Sequence, residues 1–412
     1  MKMVLFTLAL ATSVISIHPA QSSQVDQLLG EKLWTKRDAY DAAHILMVPM
    51  HAAYATRNQE TIKRYREFVG RYVGDDSRED IGRLTNLQFA YLVSRFIVLD
   101  VNANGCGALA NEAARFLEKL FTTEVMSPAW QWSMPDFPTM FDRIEWKLEQ
   151  RETFPSYLKA MIDEEMFAVA LASDISVVVS KCGTPVPRDI RRAVALGYRI
   201  IIQEGVSKDS GWVFQPGIWR DHPDYAFAGN NELAIGLSRK PVEDIGLDSS
   251  HGARFPLWLQ SFRCAVEGGA RQKITAIIEG LRRQFLGVVL ADAEDGVKLR
   301  NFATGENGVY RYSYKTAGPG GGYGPGGLSF TFNLGWWSFL GPDSGPLYQK
   351  QLTALPFSKE TTALYLQPIV TTETAPRPRH PQFDPKAYLK GDLIKEVLSS
   401  AVQVAWSLTT CD

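Results

Sequence analysis

The run Arg220-Asp221-His222-Pro223-Asp224-Tyr225 sets a histidine and a tyrosine three residues apart. Imidazole titrates near neutrality, and a phenol gives or takes a proton when a cation lies close, so the pair has the chemistry of a general base and acid. Pro223 confines His222 to extended backbone, which places both on a fixed turn. Asn230-Asn231-Glu232 follows, and an amide there can hold a carboxylate while charge develops on the carbon beside it. Ser249-Ser250-His251-Gly252-Ala253-Arg254 then stands just before an apolar helix. A cation in a first helical turn opposes the dipole, so Arg254 implies an anionic partner, and His251 joins it as a candidate. Each group has a plainer alternative. His222 can bond nearby backbone with Tyr225 as packing, Asn231 can cap a helix starting at Glu232 after a Gly229-Asn230 turn, and Ser250 can be only an N-cap.

Aromatic and acidic groups surround these candidates. Trp212, Trp219 and Arg220 share the loop, Tyr323 lies in the glycine-rich stretch 318–327, and Trp130 stands in Ser127-Pro128-Ala129-Trp130-Gln131-Trp132. Such rings stack on sugars or plug the gaps between helix ends. Asp209, Asp224 and Glu232 form an alternative acid/base set. His44 and His51 are seven apart but lack further ligands, and no cysteine pair or cluster has zinc spacing, so no metal and no cofactor is expected. The glycine-rich stretch lacks the Gly-Lys-Ser/Thr ending of a phosphate loop, and no Gly-x-Ser-x-Gly elbow is present.

The elements that must position these groups are helical. Periodicity predicts helices over 37–72 (interrupted at Pro49), 81–101 behind a Ser77/Asp80 capping box and ending at Asn104-Gly105, then 108–123, 139–152, 156–181 and 188–204. The candidate-rich loop of residues 209–254 interrupts the series. A helical stretch 255–290 follows, with a break expected at Gly268-Gly269. Tyr310, Tyr312 and Tyr314 alternate with polar residues, so a small β-hairpin is expected near 309–315. The apolar run 328–340 reads as helix or strand, and a proline-rich linker 375–385 leads to a helix over 387–407. Roughly ten to twelve helices without a fixed-period repeat favour a closed ring over an open stack. The expectation is an all-α (α/α) toroid of antiparallel helix pairs over 23–374, with 375–412 as linker and C-terminal helix packed on it.

Lys2 followed by the apolar run Val4 to Ile17, with Ala20-Gln21-Ser22 behind it, has the form of a signal peptide over 1–22, so a secreted or periplasmic protein is expected. No other apolar run is long enough to span a bilayer, so no membrane span is expected in the mature chain. The 45 acidic and 44 basic residues are mixed along the chain and argue against nucleic acid. Cys106, Cys182, Cys264 and Cys411 allow three disulfide pairings, or stand as buried thiols.

The run Asp209-Ser210-Gly211-Trp212-Val213-Phe214-Gln215, with His222, Tyr225 and Gly229 after it, resembles the Asp-Gly-Ser…Gln-His…Tyr-x-Gly segment of the (α/α) toroid polysaccharide lyases that cut chondroitin and hyaluronan. The resemblance is confined to residues 209–254. Here the glycine and serine are inverted, Pro216 stands where a histidine would follow Gln215, and His222 lies nearer the tyrosine. That family cleaves uronic-acid polymers by β-elimination with an Asn, a His, a Tyr and an Arg. The resemblance implies that Tyr225 or His222 removes the proton beside the uronate carboxylate. Asn230 or Asn231 with Arg254 would hold that carboxylate, and Trp212, Trp219 and Tyr323 would line the cleft. The expectation is therefore an exported enzyme on an acidic polysaccharide. The alternatives are a glycoside hydrolase using two of Asp209, Asp224 and Glu232, and a non-catalytic glycan-binding or envelope protein.

Overall fold

The computed structural model describes residues 23–132, 134, 136–150, 152–291, 293–367 and 379–407. The expected signal peptide and the first residues of the expected linker lie outside them. The described chain runs α1 (Gln24–Leu28), α2 (Ala39–Ala55), α3 (Gln59–Val73), α4 (Arg83–Asn104), α5 (Ala108–Met126), α6 (Met140–Glu149), α7 (Asp163–Lys181), α8 (Arg188–Glu204), the hairpin β1 (Gly205–Lys208) and β2 (Gly211–Phe214), and α9 (Ser249–Gly252). It continues with α10 (Phe255–Ala265), α11 (Gly268–Gln284), the pair β3 (Leu290–Ala291) and β4 (Lys298–Leu299), the turn α12 (Thr331–Leu334), α13 (Gly345–Thr353), α14 (Lys359–Tyr365), α15 (Pro385–Lys390) and α16 (Asp392–Trp406). The protein is mostly helical, with two small antiparallel sheets.

Two kinds of helix divide the work. In α4 every residue from Leu87 to Val101 is buried, and in α7 every residue from Glu165 to Ile175. A helix without a wet face needs neighbours all round. α4 has α2, α5 and α7; α7 has α4, α5, α8 and α10. α10 also meets α11 and the turn Trp336–Leu340, that turn meets α16, and α16 lies against α13 and α2. By contrast α8 presents one stripe, Ile190, Ala193, Leu196, Gly197, Ile200 and Ile201, to its neighbours and wets the rest. α4 is long and apolar enough to cross a membrane, yet 83% of that window is buried in the fold. It carries Arg95 against Asp174 of α7 at 2.8 Å.

Several local expectations are corrected. Pro49 neither breaks nor ends α2, because the surrounding helices hold it straight through to Ala55. The break comes at Arg57 (φ 56°) and Asn58, whose side chain accepts from Thr61 N at 3.2 Å. Ser77/Asp80 is not a capping box: Asp80 takes Gly82 N at 2.9 Å, and the helix starts only after Gly82, at φ 84°. The tyrosines of 309–315 form no hairpin. Positive φ at Arg311 (52°) and Ser313 (51°) breaks the alternation, leaving one bridge between Tyr310 and Tyr323. The hairpin is β1–β2, turning at Asp209-Ser210. Its Gly211 (φ 151°) lies on α11 so closely that a Cβ would stand 2.3 Å from the Gly280 carbonyl. The stretch 255–290 breaks at Val266-Glu267, just before the paired glycines, and the terminal helix divides at Gly391.

Cys106, just past α4, is bonded to Cys182, just past α7. Cys264, at the end of α10, is disulfide-bonded as well. The reading as buried thiols does not hold for these three. Cys411 lies outside the described residues.

Candidate functional site

The starts of α2, α7 and α10 meet at one place. Arg254, buried just ahead of α10, donates from Nε to His44 Nε2 at 3.2 Å and from Nη2 to the Tyr40 hydroxyl at 3.1 Å. Its Nη1 pairs with the carboxylate of Asp163, the first residue of α7. His44 sits one turn into α2, with Nδ1 against the Tyr40 carbonyl at 3.0 Å. Burial, then the Arg254 charge, pushes the His44 imidazole well below its ordinary value, so it stays neutral and accepts.

One turn before Arg254 is the most fully built contact. Asp248 is completely buried and caps α9, taking His251 N at 3.1 Å and Ser250 Oγ at 2.6 Å on one oxygen. The other oxygen takes the Tyr225 hydroxyl at 3.1 Å and faces His251 Nδ1 at 2.6 Å. Burial raises this carboxyl, but the His251 imidazole, the bonds from His251 and Ser250, and Arg311 hold it well below the carboxylate range. An ionised carboxylate only accepts, so His251 Nδ1 carries a proton toward Asp248, and Nε2 lies on the outward side of the ring. That Nε2 lies 3.7 Å from Asp163, on a side chain 26% exposed. The arrangement sets Nε2 beside the Asp163 carboxylate, which Arg254 also holds.

The long loop supports this cluster from behind. Tyr225 is 2% exposed and stacks on Trp219 at 5.3 Å. Tyr310 packs on it at 5.2 Å, and Arg311 Nε holds Asp224 at 2.9 Å. The Tyr312 hydroxyl accepts from Gly236 N (2.9 Å) and Leu237 N (3.1 Å). Residues 224–240 and 308–324 thus form one layer.

The structure sorts the sequence candidates. His251 and Arg254 share the cluster, and Tyr225 reaches it through Asp248. Tyr225 itself has no access to a ligand. His222 lies among Trp132, Tyr157 and Trp219, with ring centres at 5.5, 4.8 and 5.6 Å, and its Nδ1 accepts from Asp224 N at 3.2 Å. That is the backbone-bonding alternative, and burial lowers its pKa. Asn230 closes its own loop on the Phe227 and Ser238 carbonyls, both at 3.2 Å, while Asn231 and Glu232 are exposed. Trp212 is in the core against Phe214 and Phe255, and Trp219 is buried, so neither offers a face to a sugar. Arg220 pairs with Glu243 at 2.9 Å, Asp209 is exposed at the hairpin turn, and Asp224 is occupied by Arg311. Tyr323 is half-buried against Tyr310 at 6.1 Å. Trp130 is 60% exposed, with its carbonyl held by Arg143.

Tyr40, His44, Asp163 and Asp248 were not among the candidates. Only Asp248 had a local signal, its place as a cap three residues before His251. Among the described residues no group of three or more His, Cys, Asp or Glu is placed to hold a metal. Comparison with family models, curated proteins and solved structures finds no match to this chain.

Proposed function

We propose that this protein is an exported enzyme that cleaves an acidic, uronic-acid polysaccharide by β-elimination, with its helices arranged as an (α/α) toroid. The cycle of contacts through α2, α4, α7, α10, Trp336–Leu340 and α16 supports a closed ring. The observation that carries the reaction is the Asp248–His251 pair, a buried carboxylate that fixes an imidazole with its basic nitrogen outward. His251 Nε2 takes the proton from the carbon beside the uronate carboxylate, and Arg254 stabilises the charge that builds there. Tyr40, half-exposed and bonded to Arg254, returns a proton to the leaving oxygen. The atoms balance: one C–H and one C–O bond break, and a carbon–carbon double bond forms.

A second reading rests on Asp163, an ionised carboxylate 3.7 Å from His251 Nε2, which gives a glycoside hydrolase its base or nucleophile. Products decide between them. Incubation with a panel of uronic-acid polymers should yield material absorbing in the near ultraviolet, and His251→Ala should abolish it. New reducing ends without that absorbance establish the hydrolase. Full activity in a folded His251→Ala protein removes both.

A further inference from the structure

We infer that Arg379 forms a second anion-binding position beside the reaction centre, so that the polymer taken carries an acidic group on the unit next to the one that reacts. This rests on the polysaccharide reading above. Residues 379–383 come from far along the chain and are pinned at the start of α2. His380 N donates to Asp38 Oδ1 at 2.8 Å, and Asp38 is itself buried. His380 Nε2 meets Glu31 at 3.0 Å, and Phe383 N returns to the His380 carbonyl at 2.9 Å. The backbone beside Arg379 is therefore fixed, while its side chain is 46% exposed.

Among the described residues the guanidinium has one ion-pair partner, Asp41, at 3.5 Å from Nε. The Arg379 side of this pair is open to water, while Asp41 is only 19% exposed, so the guanidinium can turn from Asp41 to a ligand. Five N–H donors in a planar fork suit a carboxylate or a sulfate. The location ties this to the centre. Asp41 directly follows Tyr40, whose hydroxyl takes Arg254, so two guanidinium groups are tethered to consecutive residues of one helix, about 3.8 Å apart at Cα. Tyr40 itself is 41% exposed. The Tyr323 hydroxyl lies in the field of both Tyr40 and Arg379. Neighbouring units of one acidic chain meet both cations at once.

The test is calorimetric titration of the whole protein with a polyuronate bearing a carboxylate on every unit, and with its fully methyl-esterified form. Arg379→Ala should weaken the acidic polymer on the order of tenfold, as for one charge-assisted contact, and leave the esterified form unchanged. Asp41→Asn should act in the opposite direction and tighten the acidic polymer, because it frees the guanidinium. Unaltered affinity in Arg379→Ala overturns the inference. So does equal weakening by both variants, which makes the pair structural. If the parent protein binds neither polymer, the polysaccharide reading itself falls, a result distinct from either of those. Melting curves matching the parent show that the variants are folded.

Discussion

Four donors fill the two oxygens of Asp248, and one of them, His251 Nδ1, belongs to a ring that is 26% exposed. Asp248→Asn exchanges one acceptor oxygen for an NH2 group that cannot receive the Nδ1 proton, so the imidazole turns or changes tautomer. Turnover should fall about 10²–10⁴-fold with the fold retained, measured as initial rate on the best polymer of the panel. Tyr225→Phe removes one of the same four donors but keeps the ring on Trp219. It should cost clearly less than Asp248→Asn, and an equal loss would show the phenol itself moving the proton. His251 and Arg254 were legible because polar and cationic residues ahead of an apolar helix lack a packing reason. Tyr225 was legible as a residue but not as a role, since burial behind Asp248 depends on Tyr310, which lies far along the chain. Tyr40, His44 and Asp163 gave no local sign, because each joins Arg254 across 91 residues or more.

Helices were easier to read than the loops that join them. Residues 188–204 show the 3.6-residue stripe of a one-sided helix, and that segment forms as expected. Pro49 misled because its missing donor is a local cost that α3, α4 and α16 outweigh together. Tyr310, Tyr312 and Tyr314 misled because alternation was read without the left-handed backbone between them. At this scale Gly308 is the tightest joint in the loop layer. A Cβ there would fall 1.7 Å from the Ala228 carbonyl, and backbone atoms cannot step aside as a side chain can. Gly308→Ala should therefore separate residues 224–240 from 308–324 and destabilise the protein by about 1–3 kcal/mol. Thermal unfolding should show a lower Tm together with reduced activity, whereas a lower Tm with full activity would mean the layer does not hold the site.

Across the whole molecule, burial holds the His44, His51 and His222 imidazoles below their ordinary value of 6.5. The folded rings stay neutral while unfolded ones gain protons first as pH falls. Their stability contribution is whole above pH 6.5 and declines below it, by about 1.4 kcal/mol per pH unit for each ring until its folded pKa is reached. Urea melts from pH 7 down to 5 should show that slope. His51→Leu should flatten it, because it removes one of these buried rings, whose Nε2 has no hydrogen-bond partner among the described residues. The Cys106–Cys182 bond closes a loop of 76 residues, and Cys106→Ala with Cys182→Ala should lose roughly 4 kcal/mol. Activity at room temperature should remain, since the bond ties the ends of α4 and α7 opposite to the end bearing Asp163. A matching loss of activity would show strain passing from one end of those helices to the other.

α16, the last described helix, lies along α2, and Glu396 on it takes Gln24 N at 2.7 Å and Val25 N at 3.0 Å. During synthesis α2 emerges some 350 residues before that partner, with apolar Ile45, Leu46 and Val48 on a helix whose sides all need cover. The nascent chain must keep this surface from other molecules until α16 is made. A ribosome stalled before Asp392 should leave a chain that stays protease-sensitive and chaperone-bound, even with α4 and α7 complete.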